Sequence, residues 1–151
     1  MNRGVSTGRA VLQVLPLAFT VATSAAYAAE PELRVHVSGV RSGAGMVQYA
    51  VFDSPRYFPG REGRAAKGEV PASSTGAVTI VVSGLKPGTY AVAVFHDENG
   101  NDAFDQGIFG IPLEDYGFSN DARGFFSAPD FTDAAFELRG PRTEISLTLG
   151  R

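Results

Sequence analysis

The run from His96 through Asp97, Glu98, Asn99, Gly100, Asn101, Asp102, Ala103 and Phe104 to Asp105 carries hard oxygen donors at alternate positions. Asp97, Asn99 and Asn101 fall at positions 1, 3 and 5 of the calcium-loop spacing, Phe104 at the apolar position 8 and Asp105 at position 9. Calcium takes roughly 6–8 oxygens at about 2.3–2.6 Å, and a tightly curled loop can supply several from alternate side chains. The expected ligands are Asp97, Asn99, Asn101 and Asp105, with the Ala103 carbonyl, Glu114 and Asp115 as supplementary donors. Two positions depart from the pattern. Asp102 stands at position 6, where glycine is usual, although aspartate tolerates the left-handed conformation better than most residues. Ile108 stands at position 12, so a closing carboxylate must return from Glu114, Asp115 or Asp121. Acids at 97, 98, 102 and 105 with no base among them repel unless they are solvated or hold a cation. A hairpin loop whose Asx side chains cap their own backbone uses the same letters without a metal, and both readings stay open here.

Other chemistries find little material. The chain has no cysteine and no tryptophan, two histidines and two methionines, which excludes a thiolate zinc site, a cysteine nucleophile and a disulfide framework. A carboxylate-dependent glycan hydrolase could draw its pair from Asp97, Asp105, Glu114 and Asp115. His96 and Asp97 cannot act as base and orienter on one face, because adjacent strand residues point to opposite faces. A triad through Ser119 has only chain proximity behind it. The reading is a non-catalytic binding module.

The first 28 residues read as a signal peptide. Arg3 and Arg9 precede an apolar run from Ala10 to Ala22, broken by Gln13 and Pro16 and shorter than the roughly 20 apolar residues of a membrane span. Ala26-Tyr27-Ala28 is a small-x-small cleavage pattern, so the mature domain is expected over residues 29–151, periplasmic or secreted and without a membrane span. Removing the two arginines leaves acidic residues in excess by about five, which offers no attraction to nucleic acid. The expected partner is an envelope protein or a glycan, met by a monomer.

The elements that would position these residues are strands. Leu33–Ser38, Met46–Phe52, Val78–Val82, Ala135–Leu138 and Thr143–Leu149 alternate or are β-branched, and Tyr90–Phe95 is apolar on both faces, as in a central strand. With 18 glycines and 9 prolines, the expectation is an all-β chain, a single Greek-key β-sandwich of about seven strands, immunoglobulin- or prealbumin-like. In Leu85-Lys86-Pro87-Gly88-Thr89-Tyr90, Pro87 and Gly88 predict a type II turn, with Leu85 and Tyr90 plugging the core.

Two longer segments are ambiguous. Asp53–Glu69 holds Arg56, Arg61, Arg64 and Lys67 around Tyr57 and Phe58, and is read as a solvated loop with Phe58 tucked into the core edge rather than a basic patch. Gln106–Asp133, about 28 residues, holds Phe109, Tyr116, Phe118, Phe125, Phe126 and Phe131. It is read chiefly as a second small core sealing one end of the sandwich. Its alternative is a ligand lid or stacking surface, with Tyr116, Phe118 and Arg123 as surface candidates.

The string His96–Asn101, followed by Phe109-Gly-Ile-Pro-Leu-Glu-Asp-Tyr-Gly-Phe-Ser-Asn120, resembles the signature of a bacterial family, domain of unknown function 2141. Gly39, Gly45, the strand ending at Phe52, the Leu85–Tyr90 turn and the closing strand resemble it too. That resemblance implies an exported small β-sandwich and assigns no activity, substrate or catalytic residue. The Leu85–Tyr90 turn is similar to that of prealbumin-like and collagen-binding B-type modules. The Asp97–Asp105 loop is similar to the calcium loop of B-type repeats, with Asp97, Asn99, Asn101 and Asp105 matching and Asp102 departing from the glycine.

Overall fold

Alternating side chains give each strand one face to bury, and the computed structural model buries those faces between two sheets. It describes Met1 and residues 30–60, 62–125 and 127–151. The rest of the expected signal peptide, the expected mature start at Ala29, Arg61 and Phe126 lie outside the described residues. Among the described residues the strands are β1 (Glu32–Ser38), β2 (Met46–Phe52), β3 (Ala66–Pro71), β4 (Ala77–Val82), β5 (Gly88–Asp97), β6 (Tyr116–Phe118), β7 (Phe136–Leu138) and β8 (Arg142–Thr148), with one short α-helix, α1 (Phe131–Ala134), and single 3-10 turns at Ile108–Gly110 and Ser119–Asp121.

The smaller sheet has the order β4-β1-β8, with β1 antiparallel to β4 and parallel to β8. The larger has the order β3-β2-β5-β6, and β7 pairs with the opening residues of β5. The sandwich is as expected, with eight strands where about seven were read. The two strands not among the six segments named from sequence, β3 and β6, begin inside the ambiguous segments. β3 lies at the end of the charged one and β6 within the aromatic one, where neither has a long enough alternation to be read locally.

The main core is the interleaving of the two inner faces: Leu33, Val35, Val37 and Ile80 against Val47, Val51, Val92 and Val94. The Leu85–Tyr90 segment corrects its expected turn. Gly88 does not take a positive φ and instead opens β5, while Gly84 takes the left-handed conformation at φ +81°. Leu85 and Tyr90 do plug the core, and the Tyr90 hydroxyl donates to the Lys86 carbonyl at 2.9 Å, closing the turn from the side chain.

The larger sheet is covered on both faces. In β5, Tyr90, Val92 and Val94 point into the main core, so Ala91 and Ala93 face outward. These small residues leave room for a second cluster of Phe118, Ala122 and Ala134, packed with Phe58, Tyr116 and Phe131. The second core expected of the aromatic segment is present, but it blankets the outer face of this sheet instead of sealing one end. Its rings are edge-on neighbours in sequence across the face. Phe104 meets Phe95 at 5.4 Å and Tyr116 at 5.6 Å, Tyr116 meets Phe118 at 5.8 Å, and Phe118 meets Phe58 at 5.6 Å. Phe58 is in contact with Phe52 and Phe131 as well, so it joins the core as the charged loop's reading required.

Not all of the aromatic segment packs. Ile108, Phe109, Ile111 and Leu113 are exposed on a reversal between Gln106 and Pro112, with Phe109 97% exposed. Among the described residues no helix is long and apolar enough to cross a membrane.

Candidate metal centre

Asp97 is the last residue of β5 and, by strand parity, shares the outward face with Phe95 and Ala93. It is fully buried. Its Oδ1 accepts from the N–H groups of Gly100 at 2.7 Å and Asn101 at 3.1 Å. Its Oδ2 accepts from the N–H of Asp102 at 2.8 Å and from Gln48 Nε2 at 3.0 Å. An ionised carboxylate has about four lone-pair directions. All of them are spent on N–H donors, so Asp97 holds the loop in shape here instead of offering oxygens to a ligand.

The same wrapping continues along the loop. Asn99 Oδ1 accepts from the Asn101 N–H at 3.1 Å, and Asn101 Oδ1 from the Ala103 N–H at 2.9 Å. The amide nitrogens of Asn99 and Asn101 donate to the Asp105 carboxylate at 2.6 and 3.0 Å. Asp102 takes φ +59°, the left-handed conformation that the loop requires at the position where glycine is usual. The Asx side chains therefore cap their own backbone, and this network curls the chain between Asp97 and Asp105. Phe104, at the apolar position, packs inward between Phe95 and Tyr116.

Glu114 comes back to this loop. Its Oε2 accepts from the Asp105 N–H at 3.0 Å, and with Asp105, Glu98, Asn99 and Leu113 it lines a shallow open pocket. The side chain is buried, and Oε1 makes no well-formed hydrogen bond. Burial pushes the Glu114 carboxyl above the ordinary carboxylate range; the Asp105 and Glu98 N–H groups oppose this, and the charges of Asp105 and Asp97 add to it.

Other sequence candidates go elsewhere. Asp115 is buried but faces arginines, with Arg41 Nε at 2.9 Å and Arg151 Nε at 3.4 Å, so it leaves the ligand set. Asp121 Oδ1 accepts from the Thr148 N–H at 2.7 Å and does not close the loop. Phe118 is corrected from a surface candidate to a buried one, because its ring is needed against Phe58 and Tyr116. Tyr116 is half-buried in the same ring row, and Arg123 is exposed with Nη2 on the Thr148 carbonyl at 3.4 Å. His96 is buried with Nε2 at 2.7 Å from the Ala44 carbonyl. Ser119 Oγ is spent between the Ala134 carbonyl and the Val92 N–H. Neither shares a hydrogen bond with the other.

Among the described residues no three His, Cys, Asp or Glu side chains gather at metal-binding separation. The pocket is lined by three carboxylates, Glu98, Asp105 and Glu114, one amide, Asn99, and the apolar Leu113. Sequence reading missed Gln48, whose Nε2 ties Asp97 to Asp102 Oδ1 at 3.0 and 3.1 Å. Its signal is a polar residue at an outward position of an otherwise apolar strand, between Met46 and Ala50 on that face.

Fold and site together define a small two-sheet β-sandwich module with an oxygen-rich loop at the end of its central strand. The chain belongs to a family of uncharacterized proteins conserved in bacteria, domain of unknown function 2141, whose model matches residues 35–146. That span contains the whole candidate site and most of both cores, leaving out Leu33, Leu147 and Leu149. No curated protein and no solved structure matches the chain, and nothing beyond the turn motif supports a prealbumin-like likeness.

Proposed function

We propose that the protein is an exported, non-catalytic envelope or secreted module that engages a protein or glycan partner and is stabilised by calcium in the Asp97–Asp105 loop. The observation that carries this reading is the shape of the loop. Asp97 curls it through three backbone N–H groups, and Asp102 accepts the left-handed conformation at the glycine position. Asn99, Asn101, Asp105 and the Ala103 carbonyl then supply the oxygens. The glycan-hydrolase alternative is narrowed to one pair, Asp105 and Glu114, because Asp97 is committed to N–H donors and Asp115 to arginines, and in that pair the Asp105 oxygens are taken up by the Asn99 and Asn101 amides.

Calcium binds the folded chain and not the unfolded one, so calcium at ~100 times its dissociation constant adds about 2.7 kcal/mol of stability. With no acid at position 12 of the loop itself, the dissociation constant is expected on the order of 10⁻⁴–10⁻³ M, the range of extracellular modules. Magnesium substitutes poorly, since its octahedral shell resists irregular ligands. Asp102→Gly preserves or strengthens the effect by restoring the usual turn residue. Thermal melts in chelator and in several millimolar calcium decide it. Coincident curves remove calcium from the reading.

Export has its own readout. The protein recovered from cells begins at or near Ala29 by intact mass and fractionates with the envelope or medium. A soluble cytoplasmic product running from Met1 to Arg151 overturns that part.

A further inference from the structure

We infer that Glu114 is the closing acid of the calcium site, delivered from beyond the usual loop, and that the bound ion clamps the base of the apolar reversal between residues 106 and 113. This rests on the calcium reading above and deepens it.

A calcium loop normally ends in a bidentate carboxylate at position 12. Here that position is Ile108, an exposed apolar residue. Between Asp105 and Glu114 the chain makes a closed excursion. The Gly107 N–H donates to the Ile111 carbonyl at 2.8 Å, the Gly110 N–H to the Gly107 carbonyl at 3.2 Å, and the Leu113 N–H to the Asp105 carbonyl at 2.9 Å. The excursion thus returns to its starting point and sets Glu114 beside Asp105. The excursion separates Glu114 from the loop in sequence and leaves it next to the loop in space.

The independent observation is the state of that carboxylate. Glu114 is 6% exposed, and although the Asp105 and Glu98 N–H groups favour its charged form, its Oε1 is buried with no well-formed hydrogen bond in the pocket it shares with Asp105, Glu98 and Asn99. An unpaired buried carboxylate oxygen beside other acids costs free energy unless a cation answers it. The protein supplies none. No lysine or arginine occurs between Lys86 and Arg123, and among the described residues no ion pair involves Glu114 or Asp105. The next residue shows the contrast. Asp115 is equally buried and its Oδ1 likewise lacks a well-formed hydrogen bond, but Arg41 and Arg151 stand against it. A divalent ion between Asp105 and Glu114 does for Glu114 what those arginines do for Asp115.

Such an ion also joins the two ends of the reversal. Ile108, Phe109, Ile111 and Leu113 project from it, and Phe109 and Gly110 sit at φ +62° and +74°. Joining residues 105 and 114 restricts how this apolar tip is held.

The test is calcium titration calorimetry on the folded protein, with hydrogen exchange read over residues 106–113. Glu114→Gln keeps an acceptor for the Asp105 N–H while removing the charge. It is expected to weaken calcium binding at least tenfold and to raise, or leave unchanged, the melting temperature in chelator, because an unpaired buried charge is gone. A merely structural glutamate loses stability in chelator instead. Glu144→Gln, on β8 and exposed, serves as the control and binds as the wild type does. In the wild type, calcium slows exchange across 106–113 several-fold, a readout that needs no variant. Binding by Glu114→Gln within twofold of wild type, or exchange over 106–113 indifferent to calcium, overturns the inference and leaves the calcium loop standing. A wild-type protein that takes up no calcium overturns both.

Discussion

Replacing Phe118 by alanine lowers the free energy of unfolding by about 3–5 kcal/mol, the range for deleting a large ring from a packed core. Phe118 is buried opposite Ala93 in the register of β6 on β5, with the rings of Phe58 and Tyr116 edge-on to it. Those neighbours are held on β6 and on the loop after β2, so they cannot collapse far into the space left behind. The loss also breaks the ring row that runs from Phe104 to Phe58 and fastens the outer layer to the sheet. Phe109→Ala is the matched comparison. The same deletion at a site 97% exposed stays within about 0.5 kcal/mol. Urea melts measure both. A Phe118→Ala midpoint equal to the wild type's, with the same denaturant slope, would show that the aromatic segment is a surface lid and not a core.

Asp97→Ala has the second large effect. In chelator it costs about 2–4 kcal/mol, because three loop N–H groups and the Gln48 amide lose a charged acceptor at once. The cost stays below the sum of four such bonds, since Gly100, Asn101 and Asp102 are exposed enough for water to replace part of the loss. In calcium the variant loses the metal-dependent rise in melting temperature as well. Asp97 acts on the ion through the shape of the loop, and without it Asn99, Asn101 and Asp105 no longer converge. Asp97→Asn retains one oxygen acceptor and falls between alanine and the wild type in both measurements. A full calcium-dependent rise in Asp97→Ala would mean that the loop keeps its curl by other means.

The sandwich was legible because its signal is local. A period of two in Leu33–Ser38 or Thr143–Leu149 states which side chains are buried, whatever the strand later pairs with. The apolar character of both faces of Tyr90–Phe95 likewise announced a strand covered twice, and Ala91 and Ala93 marked where something would lie close. The conformation of the loop was legible in the same way. Asx turns join residues two to five apart, so the letters from Asp97 to Asp105 nearly determine the curl, including the left-handed Asp102.

What depended on distant partners could only be settled by tertiary structure. β3 and β6 exist because β2 and β5 offer them edges, and their own sequences are too short or too mixed to declare a period. The parallel pairing of β1 with β8 joins the first and last strands within the smaller sheet, and chain order says nothing about it. Gly88 looked like a turn residue from its neighbours, yet pairing of β7 with β5 drew it into a strand, and the Tyr90 hydroxyl closed the turn instead. The acids divided for the same reason. Asp97, Glu114 and Asp115 are equivalent as letters, but packing alone decides which carboxylate is wrapped by N–H groups, which meets arginines and which is buried beside other acids with no cation against it among the described residues. Alternation and turn chemistry are properties of neighbouring residues; the environment of a buried charge is a property of whatever the rest of the chain brings against it.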